Sequence, residues 1–485
     1  MNRLTVLLMG SLLLSSCFSG KHEPTEAELS AFGTYVNSLD STLQGKWFTR
    51  MGVSEDADSM LAYLRRELPR NGLDSTAFFI PQIAEDLDVI HQLAFDSLGQ
   101  NINEVLTRLD NNLSKAYVEY TTGQRYGFMR PDKVLNRLQM KPDSNGYVQL
   151  FDHEVRKPDY SEAEQQLATD CRMSYLQESK PSSALYRVLQ NKLLQTTDTT
   201  ERQKLAINME RCRWQYSGAG VTKYPDPVVT REVLVNIPAQ QLWAVGGDSV
   251  LNMKICCGAY TTRTPLLSST ISYLQVNPDW IIPQKIVETD ITRHAGDSAY
   301  FTRNHYYIVE RSSGDTLRPS KVSASQLRTG RLRVGQKGGA GNSLGRIVFR
   351  FPNNFAVYLH DTNNRGAFQR ERRTLSHGCV RVQKPFDLAC FLLPEADDWM
   401  KDRLRISMDI RPETERGKDW LKEHADDPRP FRLMVYSDVV PKVPVHILYF
   451  TAFPNPETGA VEFWPDLYGY DKAISREIQA FLLKR

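Results

Sequence analysis

No stretch of this 485-residue chain approaches the roughly 20 consecutive apolar residues that a membrane-spanning helix needs; the segment from Leu4 to Leu14 is mostly apolar but far too short. Cysteine is sparse, with seven residues, which excludes a disulfide-stapled framework. Neither sign of charge is in excess. Lys and Arg number 60 and Asp and Glu 57, a net charge of +3. That balance gives no basic field for nucleic acid and no acidic solvating tail. Tight metal-ligand pairs are missing too: His294 and His305 lie eleven residues apart, with Asp290 the nearest carboxylate of note, so no metal site is expected. Gly330 to Lys337 comes within one residue of a phosphate-binding loop. Its lysine is displaced and no Ser or Thr follows, so the segment reads as a flexible loop and no nucleotide cofactor is implied. No internal repeat is found. Hydrophobic residues at 41% and charged residues at 24% leave a globular, multidomain chain.

What is present begins at the N-terminus. Arg3 and the apolar run after it have the form of a secretory signal. Its end, Leu14-Ser15-Ser16-Cys17, resembles the bacterial lipobox. That resemblance implies cleavage after residue 16, acylation of Cys17 and a body held to a membrane by lipid; a plain signal peptide is the alternative. Lys21 to Tyr224 then reads mainly helical. Met60, Leu61, Leu64 and Leu68 recur at helical spacing before Pro69, and a first helix over Glu26 to Leu43 and others over Ile83–Phe95, Ile102–Tyr117, Leu185–Leu194 and Gln203–Trp214 are expected. Near Pro225 the period changes. Val233, Val235 and Ile237 alternate, and Gly246-Gly247-Asp248-Ser249 between two apolar runs signals a hairpin. Strands are expected at 270–275, 305–310, 346–351, 356–360 and 445–453, with a short helix at 385–393 and a closing helix at 474–483. The fold class is α+β: a helical N-terminal domain over 17–228 and a mixed, β-rich domain over 229–485.

The residues with the most specific chemistry are Ser376-His377-Gly378-Cys379-Val380-Arg381, with His360 nineteen residues before the cysteine. A thiol needs a base and a polar environment to attack a carbonyl. His360 and His377 are both candidates for the base. Gly378 removes bulk beside the nucleophile, where backbone N–H groups can approach a developing oxyanion. Arg381 has the fork to hold a carboxylate.

His360, fifteen intervening residues and then Ser376-His377-Gly378-Cys379 resemble the signature of the L,D-transpeptidase catalytic domain, YkuD-type. The blocks Val233–Pro238, Thr264–Tyr273, Val276–Pro283 and Gly341–Phe349 are similar to that domain's. Asn208–Trp214 and Phe463–Asp471 resemble its large YcbB-like Gram-negative branch, and Asn112–Arg130 resembles, more weakly, that branch's helical scaffold. The glycine-containing signature of the branch's peptidoglycan-binding module is not found. The resemblance implies cell-wall cross-linking in the periplasm, with peptidoglycan tetrapeptide stems as partners. Cys379 is the implied nucleophile and His360 the proton donor and acceptor. His377, Gly378 and Cys379 are implied to line the oxyanion site, with Ser376 among the catalytic residues and Tyr358, Arg381 and Trp280 beside the substrate. A capping insertion is implied over about 278–345.

Other functions use the same residues. A cysteine carboxypeptidase or amidase would give the thioester to water, and a non-catalytic envelope lipoprotein would only bind stems. A sortase-like order of His, Cys and Arg is opposed by His377-Gly378 directly before the cysteine. Cys17 and Cys379 apart, the five remaining cysteines, Cys171, Cys212, Cys256, Cys257 and Cys390, cannot all pair within the chain. Cys256 and Cys257 are adjacent on a strand and face opposite ways; Cys390 is expected in the core.

Overall fold

The computed structural model describes residues 26–27, 29–30, 33–34, 46–49, 52–92, 99, 101–138, 149–217, 231–247 and 249–483. The apolar N-terminal run, Cys17, Asp248 and most of the helix expected over Glu26–Leu43 lie outside them.

The fold is α+β. The N-terminal part packs helices Glu55–Arg70, Ile80–Gln92 and Ile102–Tyr126 around one apolar core, closed by shorter helices at Tyr160–Leu167 and Arg172–Glu178. The Ile102–Tyr126 helix starts where the Asn101 side chain accepts the Asn103 N–H at 2.9 Å. Its buried stripe of Val105, Leu106, Leu109, Leu113, Ala116, Tyr117 and Tyr120 follows the helical period. The helix continues past the expected stop at Tyr117 because Thr121, Thr122, Gly123 and Gln124 are buried as well. A Cβ at Gly123 would lie 2.1 Å from the Phe128 ring, so glycine lets the chain fold back on its own helix.

Among the described residues, nine strands form the main sheet: β1 Arg231–Asn236, β2 Gln241–Gly246, β3 Ser249–Gly258, β4 Leu267–Val276, β5 Ile347–Arg350, β6 Leu359–His360, β7 Thr374–Ser376, β8 Val380–Val382 and β9 Tyr436–Leu448. Their order is β7-β3-β8-β6-β5-β4-β9-β1-β2. β3 also pairs with β2, so the sheet curls back on itself. Inward residues such as Val233, Val235, Leu242, Ile255, Ile271, Leu274, Phe349 and Leu359 fill the core. Cys257 belongs to this core and Cys256 to a separate cluster with Phe368, as opposite faces of one strand require.

β4 and β5 pair directly, Val276 with Ile347, so everything between them is an insertion. It carries its own antiparallel sheet, in the order Thr316–Leu317, Tyr306–Glu310, Leu332–Gln336, Trp280–Ile281, over a core containing Val287, Ile291, Phe301, Ile308 and Leu327. The loop expected at 330–337 is therefore a strand, Leu332–Gln336: Leu332 and Val334 alternate into this small core.

Other expectations change in extent. The strand expected over 356–360 shrinks to Leu359–His360 because the Asn353 side chain bonds the N–H groups of Phe355 and Val357 and the Val357 carbonyl, forming a turn. The strand expected at 445–453 begins earlier, at Tyr436, and a separate strand, Ala452–Pro454, follows it. The closing helix spans Tyr470–Glu477. Cys390 is only half-buried.

The two parts are joined by helix Thr199–Arg213 and the C-terminal segment. Leu205 and Met209 pack on Phe450, Ala452 and Phe453. Asn208 exchanges hydrogen bonds with Thr451, and Arg211 pairs with Asp471 at 2.6 Å. Asp74 N–H donates to the Phe481 carbonyl at 2.8 Å, tying the chain end to the helical part.

Candidate active site

The parallel pairing of β6 with β8 brings the two halves of the site together. Leu359 lies opposite Val380 and His360 opposite Arg381. The chain between them, 361–379, includes a short turn of helix at Arg365–Gln369 and β7, so residues twenty-one apart become neighbours.

The loop before β8 is shaped by Ser376. Its buried hydroxyl donates to the Cys379 carbonyl at 2.5 Å and accepts the Gly378 N–H at 3.1 Å. The Gly378 carbonyl accepts from Thr264 Oγ1 at 2.7 Å. Thr264 in turn rests on Tyr468, whose hydroxyl also donates to the Gly258 carbonyl at 2.7 Å. Tyr468 N–H donates to the Tyr449 hydroxyl, which donates to Asp466. A ladder of hydrogen bonds thus runs from the C-terminal segment to the cysteine loop. With the Gly378 N–H engaged, the Cys379 N–H has no hydrogen-bond acceptor among the described residues.

Gly378 has φ of +122°, yet a Cβ placed there would find its nearest neighbour, the Arg263 carbonyl oxygen, 3.8 Å away. Alanine at this position costs torsion rather than space, about 1–3 kcal/mol. Gly378→Ala is expected to lower the melting temperature by only a few degrees and to slow alkylation of Cys379 about tenfold by re-aiming the loop. Equal alkylation rates would show that the loop does not need this torsion.

Cys379 is half-buried, and its Sγ lies 3.8 Å from the Ala356 carbonyl. Burial pushes the thiol up; the Tyr358 backbone and hydroxyl, then Arg350 and Arg381, oppose that shift without overcoming it. His360 is buried, and burial, reinforced by the nearby Arg381 cation, lowers it to about 3. Backbone groups of Asp361 and Leu344 act weakly the other way, yet Nδ1 has no partner in good hydrogen-bond geometry. The resting pair is therefore a neutral thiol and a neutral imidazole.

Tyr358 stands between these groups and the inserted subdomain. Its ring meets His360 edge-on at 5.8 Å. Its hydroxyl, raised chiefly by burial and next by Cys379, is within hydrogen-bonding influence of Trp280 and Cys379. Trp280 is half-buried at the inner edge of the small sheet and also packs on that subdomain's core. The structure thus gathers Trp280, Tyr358, His360, Cys379 and Arg381. His377 differs: it is 54% exposed, and its Nε2 faces Asp290 of the inserted subdomain at 3.7 Å. Cys17 lies outside the described residues. Thr264, Tyr468 and Arg350 join the site without a signal of their own in the sequence. The first two lie in motif blocks without any charge or nucleophile to mark them; Arg350 is marked only by a cation in an otherwise apolar strand.

Residues 230–401 match the family model of the L,D-transpeptidase catalytic domain, YkuD. Residues 42–193 match a scaffold domain. A Haemophilus influenzae protein named "Putative L,D-transpeptidase" is 29% identical over 386 residues, covering 76% of this chain and 71% of that protein. The catalytic-domain match encloses Trp280, Arg350, Tyr358, His360, Cys379 and Arg381 but not Tyr468, and the scaffold match falls on the helical part. An L,D-transpeptidase catalytic domain beside a scaffold domain, with a relative of that name, supports the resemblance to the YcbB-like L,D-transpeptidases.

Proposed function

We propose that this L,D-transpeptidase-type enzyme cross-links peptidoglycan with Cys379 as nucleophile and His360 as proton carrier. The observation that supports the reading is the β6–β8 pairing, which sets His360 opposite Arg381, two residues after Cys379, with Tyr358 reaching both His360 and Cys379. Cys379 Sγ attacks the carbonyl joining the third stem residue, usually diaminopimelate, to D-Ala, and His360 takes the thiol proton. The oxyanion is met by the Cys379 N–H, in the loop shaped by Ser376, His377 and Gly378. The C–N bond breaks, His360 returns the proton to the leaving amine, and D-Ala departs from a thioester. The side-chain amine of a second stem's third residue then attacks that thioester. Its proton passes through His360 to the sulfur, which leaves as the thiol, and a 3→3 link results. Trp280, Tyr358 and Arg381 border the bound stem.

The body is assigned to the periplasm, tethered by acyl chains on Cys17. The test is intact-mass analysis with a defined tetrapeptide donor, with and without an acceptor stem. The expected products are a thioester adduct, free D-Ala and a cross-linked dimer. Tripeptide accumulation with acceptor present and no dimer would assign the chain to hydrolysis. An unmodified protein and an intact donor would leave only stem binding.

A further inference from the structure

The site holds a cation that no part of the mechanism uses. Arg350 closes β5, where Val348 pairs with His360 and Phe349 with Leu359. The next step of that register sets Arg350 across from Tyr358, and its guanidinium lies 4.4 Å from the centre of the Tyr358 ring. On its other side Arg350 pairs with Tyr273 of β4.

Arg381, already placed beside the stem, also has a buried Nε without a partner; the arginines further from the thiol are committed. Arg346 pairs with Asp409, Arg365 with Asp361 and the Gln383 carbonyl, and Arg373 with the carbonyls of Ile255, Gln240 and Arg370. Arg350 is half-buried, and its guanidinium has no hydrogen bond or ion pair among the described residues. It nevertheless acts electrostatically on both Cys379 and His360. A planar fork held flat on an aromatic ring, without a carboxylate of its own, is suited to receive one from a ligand.

Resting on the transpeptidase reading, we infer that Arg350 is the carboxylate anchor for the donor stem and sets which stems are accepted. A D-Ala carboxylate sits only three bonds from the carbonyl that Cys379 attacks, about 3–4 Å away. Arg350, one ring away from the thiol across Tyr358, therefore favours donors that end at the residue next to the scissile bond. A stem one residue longer carries its terminal carboxylate beyond that point. The side-chain carboxylate of the third residue offers the same chemistry, and the two sources separate experimentally.

Three tetrapeptide donors are compared on the full chain: the natural one, one with a terminal carboxamide, and one amidated on the third residue's side chain. The readout is kcat/KM for thioester formation by intact mass. Wild type is expected to favour the natural donor over one amidated form by about 10–100-fold. Arg350→Gln should bring that ratio close to one, and Arg350→Lys should leave an intermediate value. Collapse against the terminal carboxamide identifies the D-Ala carboxylate as the ligand; collapse against the side-chain amide identifies the third residue. Wild type treating all three donors alike overturns the assignment, whether or not the variants fold. So does an Arg350→Gln loss of equal size on every donor. Alkylation of Cys379 by neutral iodoacetamide checks that the variant is folded. Wild type that acylates with no donor while its thiol alkylates refutes the transpeptidase reading itself, and the anchor with it.

Discussion

Cys379→Ala is expected to remain folded and to lose thioester formation and D-Ala release by about a thousandfold or more, because a thioester cannot form without the thiol. His360→Gln should lower the same rate by about 10²–10⁴-fold. The two losses should not add, since base and nucleophile act as a unit. The pH dependence tests the resting state more closely. Burial holds His360 neutral down to about 3 and raises the Cys379 thiol. Across the neutral range the histidine is thus ready to accept a proton, and the thiol keeps its own until attack.

Iodoacetamide labelling of Cys379 should therefore rise continuously through neutral pH, with its inflection above the ordinary thiol range. A rate that is flat from about pH 5 to about pH 8 would instead reveal a preformed thiolate–imidazolium pair. Cys171 is exposed, so the rate must be read at the Cys379 peptide or as the difference from Cys379→Ala. Removing the Arg381 cation should move the inflection further up, because its charge favours the thiolate.

The nucleophile and its partners are legible in the sequence because they are chemically distinctive residues at a recognisable spacing. Cysteine and histidine are sparse, with seven and nine residues, so Cys379 and His360 stand out, and Ser376 is marked by its place directly before His377-Gly378-Cys379. The α+β division is legible from the change of apolar period near Pro225. What supports the site is not. Thr264 and Tyr468 act through backbone carbonyls 114 and 210 residues away in sequence, and hydroxyl-to-carbonyl bonds leave no pattern. His377 looks equivalent to His360 by spacing. The structure separates them by burial and by Asp290, which comes from a subdomain inserted between two paired strands. The strand Leu332–Gln336 is hidden because glycine and basic residues around Leu332 and Val334 mask a two-residue apolar alternation.

The second large effect is expected far from the thiol. Arg213 and Glu210, both fully buried, lie 3.4 Å apart on one helix. Arg213 also donates to Gln124 Oε1 at 3.0 Å, to the Asn71 carbonyl at 3.2 Å and to the Tyr186 hydroxyl at 3.2 Å. Glu210 accepts from Phe128 N–H at 2.8 Å and Trp214 Nε1 at 3.0 Å. Burial nevertheless raises Glu210 to about 7, with Arg213 the main opposing influence. Arg213→Met leaves a buried carboxylate without its cation, at a cost of about 3–5 kcal/mol near neutral pH.

The sign of the pH effect follows from proton uptake. Glu210 holds its proton more tightly when folded, so its contribution is fully present below about 4.5 and is lost as pH rises through about 7. Without Arg213 that window extends upward, and the variant should lose stability with rising pH where wild type no longer does. Adding Glu210→Gln removes the charge and should recover more than half of the loss. Urea midpoints measured across pH decide this, and a double variant no more stable than Arg213→Met would refute it. The consequence reaches the active site. The same helix carries Asn208 and Arg211, which hold Thr451 and Asp471. The adjoining Tyr449 supports Tyr468, Thr264 and the Gly378 carbonyl. Loosening this helix should therefore slow Cys379 alkylation along with the loss of stability, and Glu210→Gln should restore both together.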